Sequence, residues 1–148
     1  MKDIYNYWYY DEKLSSSGMP TAEQMKTVAE AGVQVVINLA LKTSQGALDN
    51  EDQLVESLGM KYIHIPVEWS NPTQQNLEDF FNAMESQKGN KVLVHCQANY
   101  RASSFIMLYR VHRLGWKKEE AIPVMERMWN PEDFPVWQKF IEANLPLE

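Results

Sequence analysis

At 148 residues, with 45% hydrophobic and 23% charged side chains, the chain has the size and balance of a single globular domain, residues 1–148, that buries a core without staples. A net charge of −6 argues against nucleic-acid and anionic-membrane partners, and the one cysteine excludes an internal disulfide. The first ten residues are too polar for a signal-peptide core and no apolar run approaches membrane-spanning length, so a cytoplasmic location is expected.

The first twenty residues hold an aromatic cluster and then Ser15-Ser16-Ser17-Gly18-Met19-Pro20, read as a turn-rich approach to a helix. Thr21 caps that helix, Gln24 completes a capping-box pattern, and Gly32 stops it. Val33 to Ala40 is β-branched and nearly continuous, which predicts a buried strand. A polar loop from Leu41 to Asn50 leads to a short helix, Glu51 to Leu58, closed by Gly59. Met60 to Val67 is the next strand, and the loop Glu68 to Pro72 follows. The helix from about Thr73 to Gln87 places Leu77, Phe80, Phe81 and Met84 at helical spacing. Lys91 to His95 is a further strand, and Ala102 to Leu114 is a helix apolar on most sides. Lys117 to Trp129 and Phe134 to Asn144 read as helices, with Pro123 disturbing the first.

Strands alternating with helices predict an α/β fold, with a mainly parallel central sheet of about four to five strands flanked by helices. Right-handed crossovers put the strand-to-helix loops on one edge, where ligands bind in such folds. Leu41 to Asn50, Glu68 to Pro72 and Cys96 to Arg101 are therefore expected to share a rim.

The last of these loops carries the chemistry. A thiol at its reference pKa of about 8.5 is a weak nucleophile at neutral pH. A helix N-terminus, inward backbone N–H groups and a nearby arginine favour the thiolate and also hold an oxyanion. Gln97, Ala98, Asn99 and Tyr100 would supply such a cradle, and the planar fork of Arg101 can bind two oxyanion oxygens at once. Asparagine, the residue at 99, is among the few that accept positive φ.

Val92-Leu93-Val94-His95-Cys96, followed by Arg101 and Ser103, resembles the signature of cysteine-dependent protein tyrosine and dual-specificity phosphatases. Ser17 to Thr21, Gly32 to Leu39 and Gly59 to Val67 resemble the small bacterial phosphatase-like family, whose members occur alone or fused to lactamase-like hydrolases. The similarity covers roughly the first 115 residues. The resemblance implies a fold of the phosphotyrosine phosphatase II type and a phosphomonoester hydrolase working through a phosphocysteine on Cys96, without metal or cofactor. Arg101 would bind the phosphoryl oxygens, His95 would hold the loop and favour the thiolate, and Ser103 would hydrogen-bond the departing sulfur. The implied partner is a phosphorylated protein or small phosphomonoester.

The loop departs from the broad pattern. Four residues separate Cys96 from Arg101 where five are usual, and in ungapped alignment Ala102 falls on the usual arginine. The small bacterial group shares this spacing, and so do rhodanese-type sulfurtransferases. A sulfurtransferase or persulfide-handling enzyme using the same cysteine, and a silent phospho-ligand binding module, therefore stand beside the phosphatase reading. A phosphatase acting on phenyl or alkyl phosphates also benefits from an acid on the leaving oxygen. Related enzymes carry an aspartate in the preceding rim loop, where this chain offers Glu68; Glu132 and Asp133 are the second choice, and the absence of any such acid is the third reading. His64 and His112 show no metal-ligand spacing and read as structural. Arg110, Arg113, Lys117 and Lys118 read as a solvated face, and Trp116, Trp129 and Trp137 as packing.

Overall fold

The computed structural model describes residues 1–146. Its sheet has five strands in the order β1-β2-β5-β3-β4: Trp8–Asp11, Leu14–Ser17, Val35–Asn38, Lys61–His64 and Val92–His95 for β1 to β5. β1 is antiparallel to β2 and the other neighbours are parallel, so the architecture is the expected α/β fold.

The β1–β2 hairpin is a correction to the sequence reading, which left these residues as an approach to a helix. Three serines have little strand propensity of their own, and pairing on both sides overrides it. β2 lies between β1 and β5, and Ser15, Ser16 and Ser17 are buried there.

The helices are α1 Ala22–Glu30, α2 Glu51–Ser57, α3 Gln74–Ser86, α4 Tyr100–Arg113, α5 Lys118–Met125 and α6 Pro135–Asn144. The capping box on α1 is formed: Gln24 N–H donates to Thr21 Oγ1 at 3.1 Å and Thr21 N–H to Gln24 Oε1 at 3.0 Å. Such a cap contributes about 1 kcal/mol. Thr73 and Asn76 build the same device at the start of α3.

Strand alternation divides the core between the two faces of the sheet. Val35, Ile37, Val92 and Val94 face a layer containing Phe80, Phe105, Trp137 and most of α4. Val36 and Leu93 face the other way, onto Met25 and Val28 of α1 and Val55 of α2. α4 is buried along Arg101 to Val111, the setting of a central helix. Arg110 corrects the reading of a solvated basic face: it is only 7% exposed, with its guanidinium 4.7 Å from the Tyr10 ring and 4.1 Å from that of Trp116. Burial lowers the Arg110 pKa, and neighbouring Tyr10 and Asp11 act against that shift. Arg113, by contrast, is exposed and pairs with Glu85.

The strand ends are polar. Ser17, His95, Asn38 and His64 close β2, β5, β3 and β4, and they lie in register across the sheet. Every loop that leaves this row emerges on the same rim.

Candidate active site

Cys96 follows β5 directly and is fully buried on the α4 side. It forms the floor of a cavity of about 360 Å³ whose walls are Trp69, Gln97, Ala98, Tyr100, Arg101 and Phe134. Most of this wall is the Cys-to-Arg loop itself, and the remainder is aromatic. A larger cavity of about 780 Å³ lies at the ends of β3 and β4 and includes Lys42, Asp49, Glu51, Asp52, Tyr62 and His64. It holds no thiol, so the smaller cavity is the candidate for nucleophilic chemistry.

The loop is fixed from outside. Asn99 has φ +69° and caps α4 from the left-handed region. Its Nδ2 donates to Asn6 O at 2.8 Å and to Ser16 Oγ at 2.9 Å, so this side chain points away from the cavity. Asn99 therefore shapes the cradle through its backbone, a narrower part than the substrate contact expected of it. Asn6 Nδ2 donates to Ala98 O at 2.9 Å, Met19 N–H to Gln97 O at 2.9 Å, and Gln45 N–H to Gln97 Oε1 at 3.2 Å. That last bond brings the Leu41 to Asn50 loop onto the thiol loop. Among the described residues, the backbone N–H groups of Gln97, Ala98, Tyr100, Arg101 and Ala102 have no hydrogen-bond acceptor. Unpaired donors gathered at a loop and helix N-terminus form an anion-binding concavity.

Arg101 is 6% exposed, and its Nη1 donates to Val67 O at 2.8 Å. This is its one described side-chain bond, so most of the guanidinium fork is free to meet an anion at the cavity wall. Ser103 is placed differently from the expectation. Its hydroxyl donates to Asn99 O at 2.6 Å and also lies 3.2 Å from Tyr100 O, within the first turn of α4 and with no described bond to Cys96. The close i−4 carbonyl captures the proton that was assigned to the sulfur.

His95 is fully buried on the opposite face of the sheet, its Nε2 2.7 Å from Glu51 Oε2 and its Nδ1 3.2 Å from Cys96 O. Glu51 was read only as the start of a helix. Its partner lies 44 residues away, and no local pattern announces the pair.

No carboxylate is among the residues lining the thiol cavity. Glu68 is exposed on the rim beside Trp69, and Glu132 and Asp133 are exposed just before Phe134. Trp69 and Phe134 were missed as site residues. The Trp69 ring centroid is 5.2 Å from that of Phe134, 5.4 Å from that of Trp137 and 5.5 Å from that of Trp129, and Tyr100 stacks on Trp129 at 4.7 Å. Trp137 Nε1 also donates to Trp69 O at 2.7 Å. Trp129 and Trp137 are packing, as read, and what they pack is the cavity wall.

A thiol and an arginine at a strand-to-helix junction, on a sheet of this order, match the layout of a cysteine-dependent phosphatase of the protein tyrosine phosphatase type. The chain belongs to the family described as DSP-PTPase phosphatase fused to NAD+ kinase, whose model matches residues 10–139. The match runs past the residues that carry the sequence resemblance. A candidate phosphatase (DUF442) from Shewanella putrefaciens CN-32 superposes with a TM-score of 0.86 at 38% identity, covering 95% of this chain and 89% of that one. P. aeruginosa TpbA shares the fold at a TM-score of 0.77 and 17% identity, over 97% of this chain and 86% of that one. A beta-lactamase hydrolase-like protein of Xylella fastidiosa is 30% identical over 102 residues, 67% of this chain and 23% of that protein's length. The chain thus spans about a quarter of the curated relative it matches. Membership of a phosphatase family favours phosphoryl over sulfur transfer, the two that loop length alone left open. Among the described residues, no helix is long and apolar enough to cross a membrane.

Proposed function

We propose that the protein hydrolyses phosphomonoesters by a two-step route through Cys96. The thiolate sulfur attacks phosphorus as the ester P–O bond breaks, and the leaving oxygen takes a proton. Water then attacks the phosphocysteine, the S–P bond breaks, and inorganic phosphate departs. Arg101 binds two phosphoryl oxygens with its planar fork, and the loop N–H groups hold the charge that builds on the equatorial oxygens. The observation that carries this reading is the set of acceptor-less N–H groups on Gln97, Ala98, Tyr100 and Arg101, residues that also line the cavity over Cys96. Ser103 would assist the second step once its hydroxyl leaves Asn99 O and turns to the sulfur.

The aromatic wall supports a phosphorylated substrate with a flat, apolar group next to the phosphate, on a protein or a small molecule. TpbA, which shares the fold, has been solved in complex with pTyr. Trp69→Ala would remove that wall. It is expected to lower kcat/KM for aryl phosphates by roughly tenfold and to affect short alkyl phosphates much less, since losing an aromatic contact costs about 1–2 kcal/mol. Steady-state kinetics on the two substrate classes checks this, and equal losses would show that Trp69 serves the fold rather than the substrate.

Glu68 is proposed as the proton donor to the leaving oxygen, from its place on the rim, ahead of Glu132 and Asp133. Glu68→Gln is then expected to slow phenyl phosphate roughly a hundred- to ten-thousandfold. An ester with a very acidic leaving group should be slowed much less, because it departs without a proton. Equal effects on both esters would assign the proton elsewhere.

A further inference from the structure

Behind the thiol loop, on the far face of the sheet, lies a buried carboxylate that the chemistry above does not use. Glu51 opens α2, is 6% exposed, and sits against His95, which exposes no surface. An ionisable pair this enclosed is rare unless each partner satisfies the other. Glu51 Oε2 is 2.7 Å from His95 Nε2, while its Oε1 is 3.5 Å from Asn38 Nδ2. Asn38 also donates to Tyr62 Oη at 3.0 Å, and its Oδ1 accepts from Ala40 N–H at 2.8 Å. Tyr62, pushed up to about 12 chiefly by burial, is relieved by the Asn38 bond and raised further by the negative charges of Glu51 and Asp52. The cluster therefore joins β3, β4, β5 and α2 around one imidazole.

We propose that Glu51 is a positioning residue for the phosphatase site, fixing the Nε2 proton of His95 and through that ring the Cys96 carbonyl from which the loop departs. An ionised carboxylate only accepts, so the ring must donate from Nε2. Its other nitrogen lies 3.2 Å from Cys96 O, so the ring bridges the Glu51 carboxylate and the peptide of the nucleophile. The ring then ties α2 to the peptide that carries the nucleophile. Sequence alternation makes this arrangement necessary: Cys96 faces α4, so residue 95 must face α2, and the support for the thiol has to come through the sheet. Glu51 is not among the residues lining the thiol cavity, and its described link to the thiol loop runs through His95.

The proposal rests on Cys96 as nucleophile, and its test separates the two. Glu51→Leu keeps the packing volume but removes the acceptor, whereas Glu51→Gln keeps an acceptor oxygen. Glu51→Leu is expected to lower kcat by about ten- to a hundredfold with little change in KM, as loss of an outer partner does at other sites. The alkylation rate of Cys96 by iodoacetate should fall with it, and Glu51→Gln should retain most of both rates. ¹⁵N NMR of the unmodified protein should show the His95 ring protonated at Nε2, with a signal that moves in Glu51→Gln. A folded Glu51→Leu protein with both rates within about twofold of the original would overturn the proposal. So would a ring protonated only at Nδ1, or an Nε2 signal indifferent to Glu51→Gln; the NMR result decides even if Glu51→Leu does not fold. Activity surviving in Cys96→Ser would sink the nucleophile assignment instead, without altering the NMR result.

Discussion

Replacing Cys96 with serine is expected to abolish phosphomonoester hydrolysis, lowering kcat at least about a thousandfold while the fold persists. The substitution exchanges one small group for another at a fully buried position, so packing around β5 and α4 changes little. The chemistry changes completely, because a serine hydroxyl is not ionised at neutral pH and no described carboxylate or imidazole lines the cavity to take its proton. Arg101→Lys is expected to cost roughly a hundred- to a thousandfold, as does loss of a preorganised oxyanion donor. Lysine offers a point charge on a flexible stem where the anchored guanidinium offers a fork. Steady-state turnover of an aryl phosphate, with thermal melts of each variant, checks both. Near-normal turnover in a folded Cys96→Ser protein would remove Cys96 from the mechanism.

Gly18→Ala is expected to cost about 1–3 kcal/mol of stability and several degrees in Tm. The constraint is space, since a Cβ at Gly18 would lie 2.7 Å from Gln97 O, 2.8 Å from Tyr5 Cδ2 and 3.0 Å from Tyr5 O. Two of these are backbone atoms that cannot swing aside. Gly18 N–H also donates to Tyr5 O at 2.7 Å, and the next residue donates to Gln97 O, so the N-terminal segment and the thiol loop are clamped together here. Relief of the clash must displace residue 97, the neighbour of the nucleophile. Activity is therefore expected to fall further than stability alone would bring. A variant with unchanged Tm and unchanged kcat would show that the loop does not need this contact.

These expectations mark what was legible in the sequence. Helix α1 could be read from Thr21, Gln24 and Gly32 because capping is local chemistry written in adjacent residues. The rim could be read from alternation and handedness, and the structure brings the Gln45 and Gln97 segments together as that rim requires. The β1–β2 hairpin could not, because Ser15 to Ser17 form a strand only through their neighbours, and the alternating exposure of Trp8 to Asp11 arises only in the folded chain. Ser103 illustrates a different difficulty: an α4 backbone carbonyl competes with the sulfur for its proton, a contest that spacing does not reveal. Trp69 and Phe134 meet from segments far apart in the chain and join one aromatic wall only when folded. Glu51 likewise acquires its partner through the sheet.

The most direct test of a phosphocysteine route is to mix the protein with an aryl phosphate, quench in acid within the first turnover, and map the product by mass spectrometry. The expected result is one phosphoryl group on the peptide that contains Cys96, formed before inorganic phosphate is released and absent from Cys96→Ser. Full turnover with Cys96 never phosphorylated, or a persulfide formed on Cys96 from thiosulfate while aryl phosphates are left intact, would contradict it.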